Sequence, residues 1–177
     1  MSSENIKNLV RQAQCGNAEA FGKLYSIFAE DMFRFAFYHT SSKMLAEDAV
    51  GDAVLLAFQK IKQLKKSESF KNWQFKILLN CCRKQQGLKA ISLKNTQIED
   101  VQNELYIEPD YNENIELKKA LQTLTDEERE IFLLSNLFGY SSKEIGEITE
   151  LKSSTVRSKN SRTTEKIRNM LLEEGAK

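Results

Sequence analysis

Apolar residues return at three- and four-residue steps along most of this chain, and the repeat lapses once, from Asn95 to Asn114. A repeat of that period sets one side of a helix against a core, whereas strands alternate in steps of two. Phe21, Leu24, Tyr25, Phe28, Met32, Phe35 and Ala36 form one long stripe, and Ala46, Ala49, Val50, Ala53, Ala57 and Ile61 form a second. Phe70, Trp73, Ile77 and Cys81 form a third, with Phe75, Leu78 and Cys82 beside them. Beyond the lapse, Leu117, Ala120, Leu121 and Leu124 open a new set. The single proline, Pro109, falls inside the lapse, and glycine is scarce, which argues against a sandwich or barrel. The expected fold is all-α: two small helical bundles, residues 1–94 and 117–177, joined by a flexible acidic linker over 95–116.

The formal net charge of +1 conceals a strong segregation. Residues 1–59 hold five basic and seven acidic side chains; residues 60–94 hold ten basic and one acidic. Residues 95–116 hold no basic and seven acidic, 117–151 four basic and seven acidic, and 152–177 seven basic and three acidic. Two cationic islands separated by an anionic stretch suit a polyanionic partner gripped at two places, with the modules held apart. No apolar run reaches the length of a membrane span, and the start MSSENIKNLVRQ is not a signal peptide, so no membrane insertion is expected. Cys15, Cys81 and Cys82 have neither disulfide-framework nor zinc spacing, so reduced thiols and no metal are expected. No phosphate loop or nucleophile–base motif argues for an enzyme, and no cofactor is implied.

Thr125 to Arg168 reads as three short helical segments, the last of them basic. Thr125 with Glu128, and Ser141 with Glu144, have capping-box spacing. Ile131, Leu134 and Leu137 supply an apolar face to the first, and Ile145 and Ile148 to the second; Gly139 sits where a left-handed helix end is required. Ser153 is placed to cap a third helix with Val156, Ile167 and Leu171 inward. Its other side carries Arg157, Ser158, Lys159, Ser161 and Arg162. A basic helix after two short ones suits the DNA major groove, where Arg and Lys meet phosphates or guanine edges. The structural alternative is a solvated three-helix bundle.

In the first bundle, Asn17 is positioned as an N-cap, and His39-Thr40-Ser41-Ser42 reads as a break, with His39 at the surface or in a loop. Glu47, Asp48 and Asp52 share an acidic face, either plain solvated surface or a dock for a basic partner. Gly51 lies mid-helix. Leu64-Lys65-Lys66-Ser67-Glu68-Ser69 reads as a polar loop, and Lys71, Lys76, Arg83, Lys84 and Lys89 follow it among aromatics, a mixture suited to single-stranded nucleic acid. Trp73 and Ile77 fall on the core stripe and read as packing residues.

These residues carry a family resemblance. Arg129, Ser141-x-Lys143-Glu144-Ile145-Gly146-x-Ile148 and Ser154-Thr155-Val156-Arg157-Ser158 with Arg162 resemble the fourth region of bacterial RNA polymerase sigma factors. Ala46-Glu47-Asp48-x-Val50-x-Asp52 with Phe58, and Phe70-x-x-Trp73-x-x-x-Ile77-x-x-Asn80, resemble the second region. The group most similar is the extracytoplasmic-function (ECF) sigma factors, and the two motif sets cover about residues 4–90 and 117–172. Three positions depart from the pattern: Gly51 for a glutamine, Gln74 for a leucine, and Thr125 before Asp126 where proline is favoured.

The resemblance implies two helical domains and promoter recognition with DNA melting, as a dissociable polymerase subunit that catalyses nothing itself. It implies that Asp48, Gly51 and Asp52 meet the β′ clamp helices. It assigns the −10 element to Leu64, Lys65, Lys66, Ser67, Glu68, Ser69, Asn80, Arg83 and Lys84. It assigns the −35 element to Ser153, Ser154, Thr155, Arg157, Ser158, Lys159, Ser161 and Arg162. Implied partners are core RNA polymerase, including the β flap, promoter DNA and an anti-sigma factor, with a cytoplasmic location and sequestration at the membrane by such an inhibitor. The competing reading is a stand-alone helix-turn-helix regulator that binds palindromic duplex DNA as a dimer.

Overall fold

The structure, a computed structural model, describes residues 3–95 and 115–174. Helices α1 (Ser3–Gln14), α2 (Ala18–Thr40), α3 (Lys43–Lys60) and α4 (Phe70–Asn95) build the N-terminal module. Helices α5 (Ile115–Gln122), α6 (Asp126–Phe132), α7 (Ser142–Thr149) and α8 (Ser153–Glu174) build the C-terminal one. The acidic linker expected over 95–116 lies almost wholly outside the described residues.

The boundaries follow from local chemistry. Asn17 Oδ1 accepts from the Ala20 N–H at 3.0 Å and starts α2, as expected. Ser41 ends it in the left-handed conformation at φ 55°, its N–H bonding Phe37 O. Ser42 then caps α3 through the Leu45 N–H. Gln14 donates to Ile61 O at 3.1 Å and Leu64 O at 2.8 Å, tying the end of α1 to the turn that leads into α4. Leu24, Met32, Phe35, Ala49, Ala53, Ala57, Phe75, Leu78 and Leu79 are fully buried between α2, α3 and α4. The alanine stripe of α3 lets its neighbours approach closely.

The α4 stripe is rotated from the expected one. Phe70, Gln74, Phe75, Leu78, Leu79, Cys81 and Cys82 are buried, while Trp73 and Ile77, also expected inward, are half-buried at its margin. Gln74, the departure from leucine, is 1% exposed. Its Nε2 donates to the weak acceptor Met32 Sδ at 2.8 Å, and its Oε1 has no partner. Leaving a buried amide oxygen unpaired costs about 1–3 kcal/mol. Gln74→Leu is therefore expected to stabilise the protein by about 1–2 kcal/mol, read as a raised urea midpoint at unchanged slope.

In the C-terminal module both capping boxes form. Glu128 N–H meets Thr125 Oγ1 at 3.3 Å while Glu128 Oε2 accepts from Thr125 N–H at 3.0 Å. Ser141 and Glu144 repeat the exchange at 2.8 and 3.3 Å. Leu133–Leu137 continues α6 as a wide π turn, and Gly139 closes it at φ 67°. Ser153 does not cap α8: the Val156 N–H bonds Lys152 O, so the cap position falls one residue earlier and Ser153 is the first helical residue.

The expectation of modules held apart is not met, because α2 and α4 pack directly on α6, the π turn and α7. Phe138 stands 6.0 Å from Phe35 and 5.8 Å from Phe75, centroid to centroid, and Tyr140 stands 5.4 Å from Phe75. Fully buried rings such as Phe35 and Phe75 contribute roughly 1.5–3 kcal/mol each, and the half-buried Phe138 less. His39, expected at the surface, is 0% exposed at this seam. It lies inside α2, and its Nε2 is 3.3 Å from Glu130 Oε1 of α6. The local sequence carried no signal for that burial, since the covering side chain comes from 91 residues away.

Candidate nucleic-acid interface

Helix α8 separates its two faces by period. Val156, Thr163 and Ile167 are buried, and Ser154, Arg157, Ser158, Ser161 and Arg162 are exposed on the opposite side. Those five recur at steps of three, one, three and one, so they form a single outward stripe. Ser158 Oγ donates to Ser154 O at 3.2 Å and Thr155 O at 3.1 Å, and Arg162 Nε donates to Ser158 O at 3.2 Å. The Arg162 fork is thereby held along the stripe. Ser153 and Thr155 are half-buried, and Lys159 turns to Glu127 of α6 at 2.5 Å, away from the stripe.

A polar clasp fixes the roll of α8. Asn136 Nδ2 donates to Asn160 Oδ1 at 3.0 Å and to Thr164 Oγ1 at 3.4 Å, while Asn160 Nδ2 donates to Ser135 Oγ at 2.9 Å. Sequence reasoning missed Asn136 and Asn160, because the wide turn that aims Ser135 and Asn136 at α8 has no local signature. The α7–α8 connection is equally tight. Glu150 takes the left-handed conformation at φ 67°, and a Cβ on Gly146 would stand 2.6 Å from Leu151 O.

Residues 64–69 are less uniform than a polar loop. Short 3-10 turns at Ile61–Gln63 and Ser67–Ser69 frame them, and Leu64 is buried in the core. Lys65, Lys66 and Glu68 are exposed and Ser67 and Ser69 half-buried. Glu68 pairs with Lys7 at 3.4 Å, and its carboxyl is held below the ordinary value first by its own backbone N–H and then by Lys7. Asn80 is exposed on α4, about 15 Å along the helix axis from Phe70. The structure thus splits the residues expected at one element into a turn and a helix face.

On that face Asn72, Lys76, Asn80 and Arg83 recur at steps of four, four and three. Arg83 is engaged by Glu130 in a two-pronged pair, Nε to Oε1 at 2.8 Å and Nη2 to Oε2 at 2.6 Å. Burial pushes the Glu130 carboxyl up, but bonds from His39 and Arg83 outweigh it and hold the carboxyl below its ordinary value. The same bond raises the Arg83 guanidinium. Lys84 reaches Asp52 at 3.4 Å, and Gln85 meets the same carboxylate oxygen at 3.2 Å.

Asp48 and Gly51 are exposed on α3, and Asp52 is half-buried against α4. Beside Gly51 lies an open groove of about 460 Å³ lined by Tyr25, Phe33, Glu47, Val50, Val54 and Leu55. A Cβ on Gly51 would meet nothing within 4 Å, so no contact inside the chain requires glycine there. Met44 and Leu55 extend the apolar surface at 66% and 62% exposure. Their spacing from Asp48 and Gly51, off the alanine stripe, was the available signal for a mixed apolar and acidic docking face. Among the described residues no cluster of His, Cys, Asp and Glu is built to hold a metal, and no helix is long and apolar enough to cross a membrane.

The chain is similar to several known proteins. The family model "Sigma-70, region 4" matches residues 114–167. The ECF RNA polymerase sigma factor BldN of Streptomyces coelicolor is 36% identical over 59 residues, 33% of this chain. The chain spans only 22% of the length of that relative. The solved structure of CnrH with the cytosolic domain of CnrY superposes at a TM-score of 0.73 and 20% identity, covering 94% of this chain and 97% of CnrH. The sigma factor RpoE of Bartonella quintana, solved with the anti-sigma factor NepR, gives 0.74 at 24% identity, covering 87% of this chain and 98% of RpoE. At these identities the two structures speak for the fold.

Proposed function

We propose that the chain is an extracytoplasmic-function sigma factor, which directs core RNA polymerase to specific promoters and assists strand separation there. The observation that carries this reading is the exposed stripe Ser154, Arg157, Ser158, Ser161 and Arg162, on the helix that closes the region matched as sigma-70 region 4. It is placed to enter the −35 major groove, where each arginine can bond a guanine edge or a phosphate. The exposed Lys65, Lys66 and Asn80, with Arg83 and Lys84, serve the −10 element. An extruded base held there offsets an unstacking cost of a few kcal/mol. Asp48, Gly51 and Asp52, with Met44 and Leu55, form the surface for the β′ clamp helices. The protein supplies binding alone; polymerase performs the nucleotidyl transfer. It acts in the cytoplasm, and an anti-sigma factor, as bound by RpoE of B. quintana, is its expected inhibitor.

Fold likeness to CnrH across 94% of this chain supports this over a stand-alone helix-turn-helix regulator whose N-terminal bundle senses a signal or dimerises. Run-off transcription with purified core polymerase on genomic fragments decides the matter: discrete transcripts dependent on this chain are expected, and their absence ends the proposal. Two substitutions refine it. Arg162→Ala is expected to weaken −35 binding by about 1–3 kcal/mol and relax preference at one base pair, measured by competition among mutated promoters. Asp48→Lys is expected to lower core-polymerase affinity roughly threefold to tenfold while circular dichroism is unchanged.

A further inference from the structure

The turn that carries Lys65 and Lys66 is held at both ends by one face of α1. Lys7, Arg11 and Gln14 recur on that helix at steps of four and three, so they share a side. Ahead of the exposed lysines, Gln14 Nε2 donates to Ile61 O at 3.1 Å and to Leu64 O at 2.8 Å. Ile61 O also takes the Leu64 N–H at 3.1 Å, and Leu64 is buried, so the backbone enters the turn from a fixed point. Past the lysines, Lys7 Nζ pairs with Glu68 at 3.4 Å, and the Ser69 N–H bonds Lys66 O at 3.0 Å. Between these anchors lie Lys65, Lys66 and Ser67, none of which has an apolar side chain to fix it. Without the anchors such a segment would order only on meeting a ligand, and that ordering weakens binding.

We propose that Gln14 is a positioning residue for the −10 strand: it touches no DNA itself, and by pinning Ile61 and Leu64 from α1 it holds the 64–69 turn in the shape that receives an extruded base. This deepens the promoter reading and rests on it for the ligand, the unpaired strand of a melted −10 element. Lys7 fixes the far end through Glu68, a weaker hold because that pair meets solvent and is screened by salt. The exposed lysines supply attraction to phosphates whatever the sequence, whereas the shape of the turn decides which base fits. Loss of the Gln14 anchor therefore falls on discrimination among bases.

The test uses the full chain assembled with core polymerase. The probe is a fork-junction DNA with a duplex −35 element and unpaired −10 bases, taken from a promoter that gives a run-off transcript. Gln14→Met keeps the length of the side chain and removes both donors. Gln14→Ala removes them by truncation and guards against a packing effect of methionine. Both variants are expected to lower the preference for the matched over a base-substituted −10 strand by about threefold to tenfold. Binding to a duplex −35 fragment should be unchanged, and hydrogen exchange at the Leu64 and Ser69 amides should quicken in the same variants. A merely structural role would weaken matched and substituted strands alike, and that result overturns the proposal. Native holoenzyme that initiates and discriminates, with both variants equal to it, removes the Gln14 role and leaves the promoter reading intact. If native holoenzyme yields no transcript from any fragment, the promoter reading fails and the Gln14 role falls with it.

Discussion

Arg129→Ala is expected to destabilise the C-terminal module by about 3–5 kcal/mol, through the loss of three bonds to buried carbonyls. The guanidinium is 8% exposed and closes the ends of two helices at once. Its Nε donates to Leu121 O at 2.9 Å and its Nη2 to Leu124 O at 3.0 Å, satisfying carbonyls left open where α5 stops. Its Nη1 donates to His39 O at 3.0 Å, at the end of α2 in the other module. The cation therefore sits at two negative helix ends as well as in three bonds to main-chain oxygens. Alanine would strand those oxygens in a dry site. Lysine would keep the charge but not the fork, so Arg129→Lys should lose less than alanine yet still lose stability. Urea unfolding checks the magnitude, and hydrogen exchange at the α5 and α6 amides checks the place. Full protection of those amides in the alanine variant would show that the carbonyls find other donors.

Gly146→Ala is expected to cost about 3 kcal/mol and to abolish duplex binding by α8, against a propensity gain of about 1 kcal/mol that alanine brings to an ordinary helix position. The opposition makes the sign informative. The added Cβ would lie 2.6 Å from Leu151 O and 3.7 Å from Ser153 N, both main-chain atoms in the tightest part of the α7–α8 turn. A side chain could swing aside; this carbonyl cannot move without changing the angle between the helices. The angle aims the Arg157 and Arg162 stripe, so a shifted turn fails in readout even if the module still folds. A lower melting temperature with lost promoter protection is the expected pair of results. A melting temperature equal to or above the native one would mean that the turn has slack.

Local rules carried well wherever the competing groups lie within a few residues. The capping boxes at Thr125 and Ser141, the Asn17 cap and the outward stripe of α8 are decided by contacts between near neighbours in sequence, and all were legible. The roll of α4 was not. Trp73 and Ile77 are as apolar as Phe75 and Leu79, so periodicity alone allowed either phase. The packing of α2 and α3 decides it, at the cost of burying Gln74. His39 failed for the same kind of reason, since its burial depends on Glu130 and Arg83 from distant segments. The polymerase and strand-binding assignments came from the family resemblance. What spacing could not reveal is that Arg83 and Lys84, assigned to one ligand, are each already paired within the chain.

The ring cluster of Phe35, Phe75, Phe138 and Tyr140 has a thermal corollary. Parting the modules wets apolar surface, so the opening reaction carries a positive heat capacity and its free energy is curved in temperature. The closed form is then most populated at an intermediate temperature and gives way on warming and, more gently, on cooling. Moving away from that temperature in either direction would raise the open fraction of this chain with no signalling molecule involved.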